Sequence, residues 1–276
     1  MSYTGSGEQQ DESRNELMQS LHQLFEKGSY SDLIVKCGDD VYKVHKAILC
    51  SRSVYFQKAC DNMAFQEAQT GVIDFEVEEP VHPVAVKLTM HYLYHLDYPH
   101  QPMPQDGDAV TGVTEPETVA NTTSHDGDAV HLTRIRCNAE VGRSCNKKKC
   151  QKHKRGRGLP PSSNLTTHAR VFAIAEYLVI PGLKVLAVKK FREEVQKSWN
   201  SDDFFEAMEV VYTSTGEDVR EMRDAIVDAI HSHQELLDSV RVKHSLRNNP
   251  PLTFDVLMRL RQTAILKETG LYDEWR

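Results

Sequence analysis

The residues best suited to chemistry gather between Arg136 and Gly158, in the stretch RCNAEVGRSCNKKKCQKHKRGRG. Cys137, Cys145, Cys150 and His153 are four soft donors, the number a structural zinc ion takes, and the basic residues around them could neutralise phosphates. The spacing argues against a finger: there is no C-x-x-C pair, no H-x-x-x-H pair and no aromatic residue for even a minimal core. No metal or other cofactor is therefore expected. The basic run Lys147, Lys148, Lys149, Lys152, Lys154, Arg155 and Arg157 reads better as a nuclear-localisation signal, or as a solvated arm that pairs loosely with acidic residues of its own chain. Elsewhere, His45 stands between Lys43 and Lys46 in YKVHKAILCSRSVYFQKAC. With no second ligand at metal spacing it does not read as a metal ligand, and Lys43 reads as a solvated strand residue. The chain has no Gly-rich phosphate loop, no G-x-S-x-G elbow and no H-E-x-x-H. No acid–base pair or nucleophile–base set is legible, so the expectation is a protein without enzymatic activity.

Composition narrows the class further. The 276 residues are 39% hydrophobic with a net charge of −7, ordinary for a folded protein and without global attraction to nucleic acid or an anionic membrane. Neither is an expected partner. No run approaches the ~18 apolar residues of a membrane span, and the polar start MSYTGSGEQQDESRNE lacks the flank and centre of a signal peptide. An intracellular protein of the nucleus and/or cytoplasm follows. In that setting the six cysteines do not read as a disulfide framework, and the sequons at Asn121 and Asn164 carry no sugar.

The elements that would position any site fall on either side of a compositional break. From Gln101 to Val171 there is no Phe, Trp or Tyr; residues 101–130 hold six acids and no Lys or Arg, while 131–158 hold ten basic residues against Glu140 alone. DGDAV occurs at 106–110 and again at 126–130. Such a segment buries too little to offset its ordering entropy, and the expectation is a disordered insertion over 101–164 inside one fold. A disordered tail is expected at 1–15. Before the insertion, Leu17, Leu21, Leu24 and Phe25 mark an apolar helix face ended by Gly28. Leu33, Val35 and Cys37 alternate along a strand, Gly38-Asp39-Asp40 turns, and Val41–Val44 returns as a hairpin. One helix carrying Leu49, Ser53, Phe56 and Cys60 follows, then a strand at Gly71–Phe75 and a helix from Pro83 to Tyr94. After the insertion, helices are expected over 170–177 and 183–197, broken at Pro181-Gly182. A stripe through Val219, Met222, Ile226, Ala229, His233, Leu237 and Val240 follows, and a last helix over 254–265.

This α+β order, with SDLIVKCGDDVYKVHKAILCSRSVYFQKAC, FQEAQTGVIDF and MHYLYHLDYP, resembles the BTB (POZ) domain. The carrying residues are Ser31-Asp32-Leu33, His45-Lys46-Ala47-Ile48-Leu49, Ser53 with Tyr55-Phe56, and Tyr92-Leu93-Tyr94. HARVFAIAEYLVIPGLKVLAVKKF resembles the closing helical pair of that domain, though the tyrosine expected just before Pro-Gly stands one place early, at Tyr177. The resemblance implies a BTB fold, a small sheet flanked by helices, with its first part over 16–100 and its closing helices over 165–200. The remainder, 201–276, is similar to the helical tail of short fungal members.

Function follows from the resemblance as an expectation. It implies that His45 lies in the interior as a hydrogen-bonded core histidine, and a homodimer formed through the N-terminal helix and hairpin, with Leu17, Leu21, Leu24 and Phe25 at the interface and Asp32 facing Lys46 in a charged pocket beside it. Family members that dock cullins use a hydrophobic residue, any residue, then glutamate after the second helix; Phe65-Gln66-Glu67 fits. The implied role is a protein-interaction module, an adaptor for a cullin-type ubiquitin ligase with an unidentified protein substrate. The alternative is a nuclear scaffold or transcription-associated factor that uses the Cys/His segment 137–158 for nucleic-acid binding or nuclear import.

Overall fold

In the order of the chain, α1 spans Ser6–Lys27, β1 Leu33–Cys37, β2 Asp40–Val44, α2 Lys46–Arg52, α3 Val54–Asp61, α4 Gln66–Thr70, β3 Val72–Phe75 and α5 Pro83–His95. Then come α6 (Leu165–Tyr177), α7 (Pro181–Ser198), α8 (Asp202–Ser214), α9 (Arg220–Ser232), a 3-10 turn (Gln234–Asp238), α10 (Val240–Asn248) and α11 (Pro250–Glu268). The computed structural model describes residues 6–99 and 163–268, which fall in one compact unit. Most of the expected insertion, with the Cys/His cluster and the run Lys147–Arg157, lies outside the described residues.

The hairpin forms as its alternation requires. Leu33, Val35 and Cys37 are buried on one face of β1, and Gly38 opens the turn at φ +58°, a left-handed conformation that costs glycine nothing. β1 pairs antiparallel with β2 (Leu33 opposite Val44) and parallel with β3 (Val35 opposite Ile73), giving the order β2-β1-β3. Leu49, Phe56, Leu88 and Leu93 cover the buried face. The same core continues without a break through Phe172, Leu183, Phe191, Phe204 and Ile226 of the later helices.

Four boundaries depart from the sequence reading. α1 begins at Ser6, inside the stretch expected as a tail: its first turns carry Asp11 and Glu12, which suit the positive end of a helix dipole. The single helix expected over the second element is two, broken at Ser53 (φ −142°, ψ 120°). The Ser53 hydroxyl accepts from Phe56 N at 3.2 Å, capping α3, and donates to Leu178 O at 2.6 Å. The stripe from Val219 to Val240 is broken at His233 and Ser239 into α9, the turn and α10. α11 begins at Pro250 rather than near Phe254, since proline fits a first helical turn.

The two sides of the undescribed segment are clamped together. Tyr98 is buried, and its hydroxyl lies 2.9 Å from His168 Nδ1. His168 Nε2 meets Glu194 at 3.1 Å, so Nε2 carries the proton and Nδ1 accepts from Tyr98. Glu194 also accepts from Asn164 N at 2.5 Å, and Lys190 donates to Tyr98 O at 2.5 Å while pairing with Asp97 at 2.6 Å. Burial alone would raise the Glu194 carboxyl; the hydrogen bonds from His168 and Asn164 outweigh it and hold the group below the usual carboxylate range.

Candidate functional site

His45 is held from three directions in the interior. Its N–H donates to the Tyr94 hydroxyl at 2.9 Å, its Nδ1 lies 2.8 Å from the same oxygen, and its Nε2 lies 2.7 Å from Ser29 O. A carbonyl can only accept, so Nε2 bears the proton and Tyr94 O–H donates to Nδ1. Burial, with Asp32 nearby, pushes the Tyr94 phenol up to about 12 although the His45 N–H acts against it. The expected core histidine is what the structure contains.

The pairing expected of Lys46 takes another form. Asp32 Oδ1 accepts from the backbone N–H of Lys46 at 2.7 Å, so the carboxylate caps α2 in place of the ammonium–carboxylate contact expected. The physical reason lies at the helix start, where an N–H has no intrahelical partner and His45 offers no side-chain cap.

On α1, Leu17 is 60% exposed, while Leu21, Leu24 and Phe25 are half-buried. Phe25 stacks on Tyr94 at 4.8 Å, so the end of α1 belongs to the core and its middle turns do not.

Phe65 is the N-cap of α4 and remains 48% exposed; Glu67 is half-buried in the first turn behind it. Glu67 acts electrostatically on Tyr55, whose phenol is pushed well up by burial first and by the neighbouring Tyr177 second. The Tyr55 and Tyr177 rings lie 5.3 Å apart, and Tyr177 is 43% exposed. Val54 at the start of α3, Met63 before α4 and Val179 after α6 are exposed as well. The tyrosine that stands one place early before Pro181 thus lies at the surface, and Leu178 occupies the buried position. Gly182 has its own reason: a Cβ there would stand 2.5 Å from the Tyr92 hydroxyl.

A cavity of about 500 Å³ opens between α7, α9 and α11, lined by Arg192, Arg220, Asp228, Asp255 and Arg259 among others. Its arginines are matched by aspartates, Arg220 to Asp255 at 2.8 Å and Arg259 to Asp228 at 2.7 Å. Among the described residues no cluster of three or more His, Cys, Asp or Glu could hold a metal ion, and no helix is long and apolar enough to cross a membrane. Cys37, Cys50 and Cys60 are free thiols. Sequence reasoning missed two features: the clamp around His168, and a stack of His22, His95 and His91 beneath α1. The i, i+4 spacing of His91 and His95 was a visible signal for the second; nothing local pointed to its third member.

The BTB/POZ domain family model matches residues 21–105. Over 96 residues the chain is 30% identical to "BTB/POZ domain-containing protein 1" of Schizosaccharomyces pombe, a match that covers 29% of this chain and 7% of that protein. Among solved structures, the BTB domain of zebrafish PATZ1 aligns with 70% of this chain and 99% of its own, at 11% identity and a TM-score of 0.37. The three-stranded sheet with its flanking helices over residues 21–105 is a BTB/POZ domain, a protein-interaction fold, continued by a helical C-terminal part.

Proposed function

We propose that the chain is a homodimerising, non-catalytic adaptor inside the cell that docks a cullin-type scaffold and brings protein substrates to it for ubiquitination. One observation carries the docking half: Phe65, 48% exposed at the start of α4, with Glu67 half-buried two residues on. An exposed aromatic side chain can serve as an anchor for a partner. The glutamate supplies an acceptor at its rim. Support for the dimer comes from the middle of α1, where exposed Leu17 continues the stripe that Leu21 and Leu24 only half bury. A symmetric pair of such helices would cover it.

Light scattering on the purified chain tests the assembly. A mass of twice the 31.4 kDa chain is expected, with Leu17→Asp/Leu21→Asp returning it to one chain. A monomer at micromolar concentration in the wild type would remove the dimer from the proposal. The docking half is tested separately by direct titration with a cullin.

A further inference from the structure

Three imidazoles stack beneath α1. The ring of His22, on α1, lies 4.0 Å from that of His95, on α5, at an interplanar angle of 14°. His95 in turn lies 3.8 Å from His91 at 14°. Phe25 closes the stack, edge-on to His95 at 6.0 Å. This is a principal contact of α1 within the chain, since Phe25 on Tyr94 and His22 on His95 both engage α5.

The hydrogen bonds fix where protons already sit. His91 Nδ1 lies 2.8 Å from Asp97 O and His95 Nδ1 lies 3.0 Å from His91 O; a carbonyl only accepts, so both Nδ1 atoms carry hydrogen. Any further proton must add at Nε2. His22 Nε2 is itself buried without a hydrogen-bond partner, so a cationic N–H at that atom would have no acceptor. The geometry points to an acid-released clasp: the His22–His95–His91 stack docks α1 on α5 while its rings are uncharged, and protonation undocks the helix.

The surroundings favour the uncharged form. Burial lowers the His95 pKa, and the His91 and His22 rings lower it further; the bond to the His91 carbonyl and, more weakly, Glu26 of α1 oppose them without reversing the net direction. The charged groups of the other elements packed on α5 are engaged elsewhere. Arg52 of α2 donates to the carbonyls of Tyr92 and Leu93, Arg170 of α6 pairs with Glu206, and His168 of α6 meets Tyr98 and Glu194. The carboxylate of Asp97 pairs with Lys190.

The sign follows from linkage. A histidine whose pKa is lower docked than free contributes fully above its free value, ~6.5, and loses that contribution as pH falls through the docked value. The proton that docked His95 excludes weakens docking about tenfold at pH ~5.5 relative to neutral. The proposal rests on packing within one chain and does not require the dimer.

Hydrogen exchange on the full chain tests it, with protection factors for the amides of residues 21–27 compared at about pH 7.5 and about pH 5.5. Protection in α1 should fall at least about tenfold while the α6 and α7 amides hold, and His22→Phe/His95→Phe, which keeps a ring stack, should abolish that pH dependence. A wild-type change under about twofold, or an equal loss in the variant, overturns the clasp. Should the double variant not fold, imidazole NMR of the wild type decides. The clasp requires the three rings to titrate together with α1 release, and three independent titrations near ~6.5 overturn it.

Discussion

Val179 occupies a position built for glycine, and changing it should make the protein more stable. α6 ends in a pair of bonds, Ile180 N to Ala175 O at 2.8 Å and Val179 N to Glu176 O at 3.1 Å, the 6→1 and 5→2 pattern of a Schellman cap. The residue between them must be left-handed, and Val179 has φ +55°. For a β-branched residue that conformation costs about 2–3 kcal/mol, the upper part of the range for left-handed non-glycine residues. Glycine would release it. Against the release stand about 0.5–1 kcal/mol for the freedom glycine regains on unfolding and, the side chain being 45% exposed, about 0.5–1 kcal/mol of lost burial. The net for Val179→Gly is a gain of about 1 kcal/mol, or roughly 2–4 °C in Tm. Val179→Ala loses the β-branch but keeps the Cβ, so it releases only part of the strain while losing the burial of the methyls, and should fall near wild type and below Val179→Gly. Urea denaturation of the three proteins, with thermal melts alongside, reads the order. If Val179→Gly proves no more stable than Val179→Ala, the strain argument is wrong.

Other perturbations probe the elements around that corner. Ser53→Ala removes the α3 cap and leaves the buried Leu178 carbonyl without its donor, and should cost about 1–3 kcal/mol by denaturant titration; a loss under about 0.5 kcal/mol would mean water replaces the hydroxyl. Gly182→Ala drives a Cβ toward the Tyr92 hydroxyl and should cost about 1–3 kcal/mol, much of it recovered in Gly182→Ala/Tyr92→Phe; additive losses in that double-mutant cycle would refute the contact. The Glu194 carboxyl sits below its ordinary pKa, so its stabilisation is complete above ~4.3 and drains as pH falls through the folded value. Glu194→Gln should therefore be less stable than wild type at neutral pH and show a shallower loss between about pH 5 and pH 3. Parallel curves would contradict the clamp.

The sheet was legible because its signals are local: alternation at Leu33, Val35 and Cys37 and a glycine at the turn determine a hairpin whatever surrounds it. The break at Ser53 was hidden for the opposite reason. A helical period runs through Ser53, and only the Leu178 carbonyl, 125 residues away, makes its cap worth forming. The absence of a second ligand spoke only against a metal; His45 was readable as a core residue through the family resemblance. Whether Asp32 meets the ammonium or the backbone of Lys46 was not, since both choices place the same residues side by side. Phe65 and Glu67 were found through family resemblance, while Tyr55 and Tyr177 come together only through tertiary packing. The clamp of Tyr98, His168, Lys190 and Glu194 spans residues distant in sequence, and no spacing rule gathers them.

The adaptor reading meets its most direct test in a calorimetric titration of the full-length chain with the N-terminal domain of a cullin. The account predicts saturable binding by the wild type that weakens about thirtyfold or more in Phe65→Ala/Glu67→Ala, as loss of an aromatic hot spot worth about 2 kcal/mol requires, while light scattering gives both proteins the same mass. No binding by the wild type, or equal binding by the variant, would contradict it.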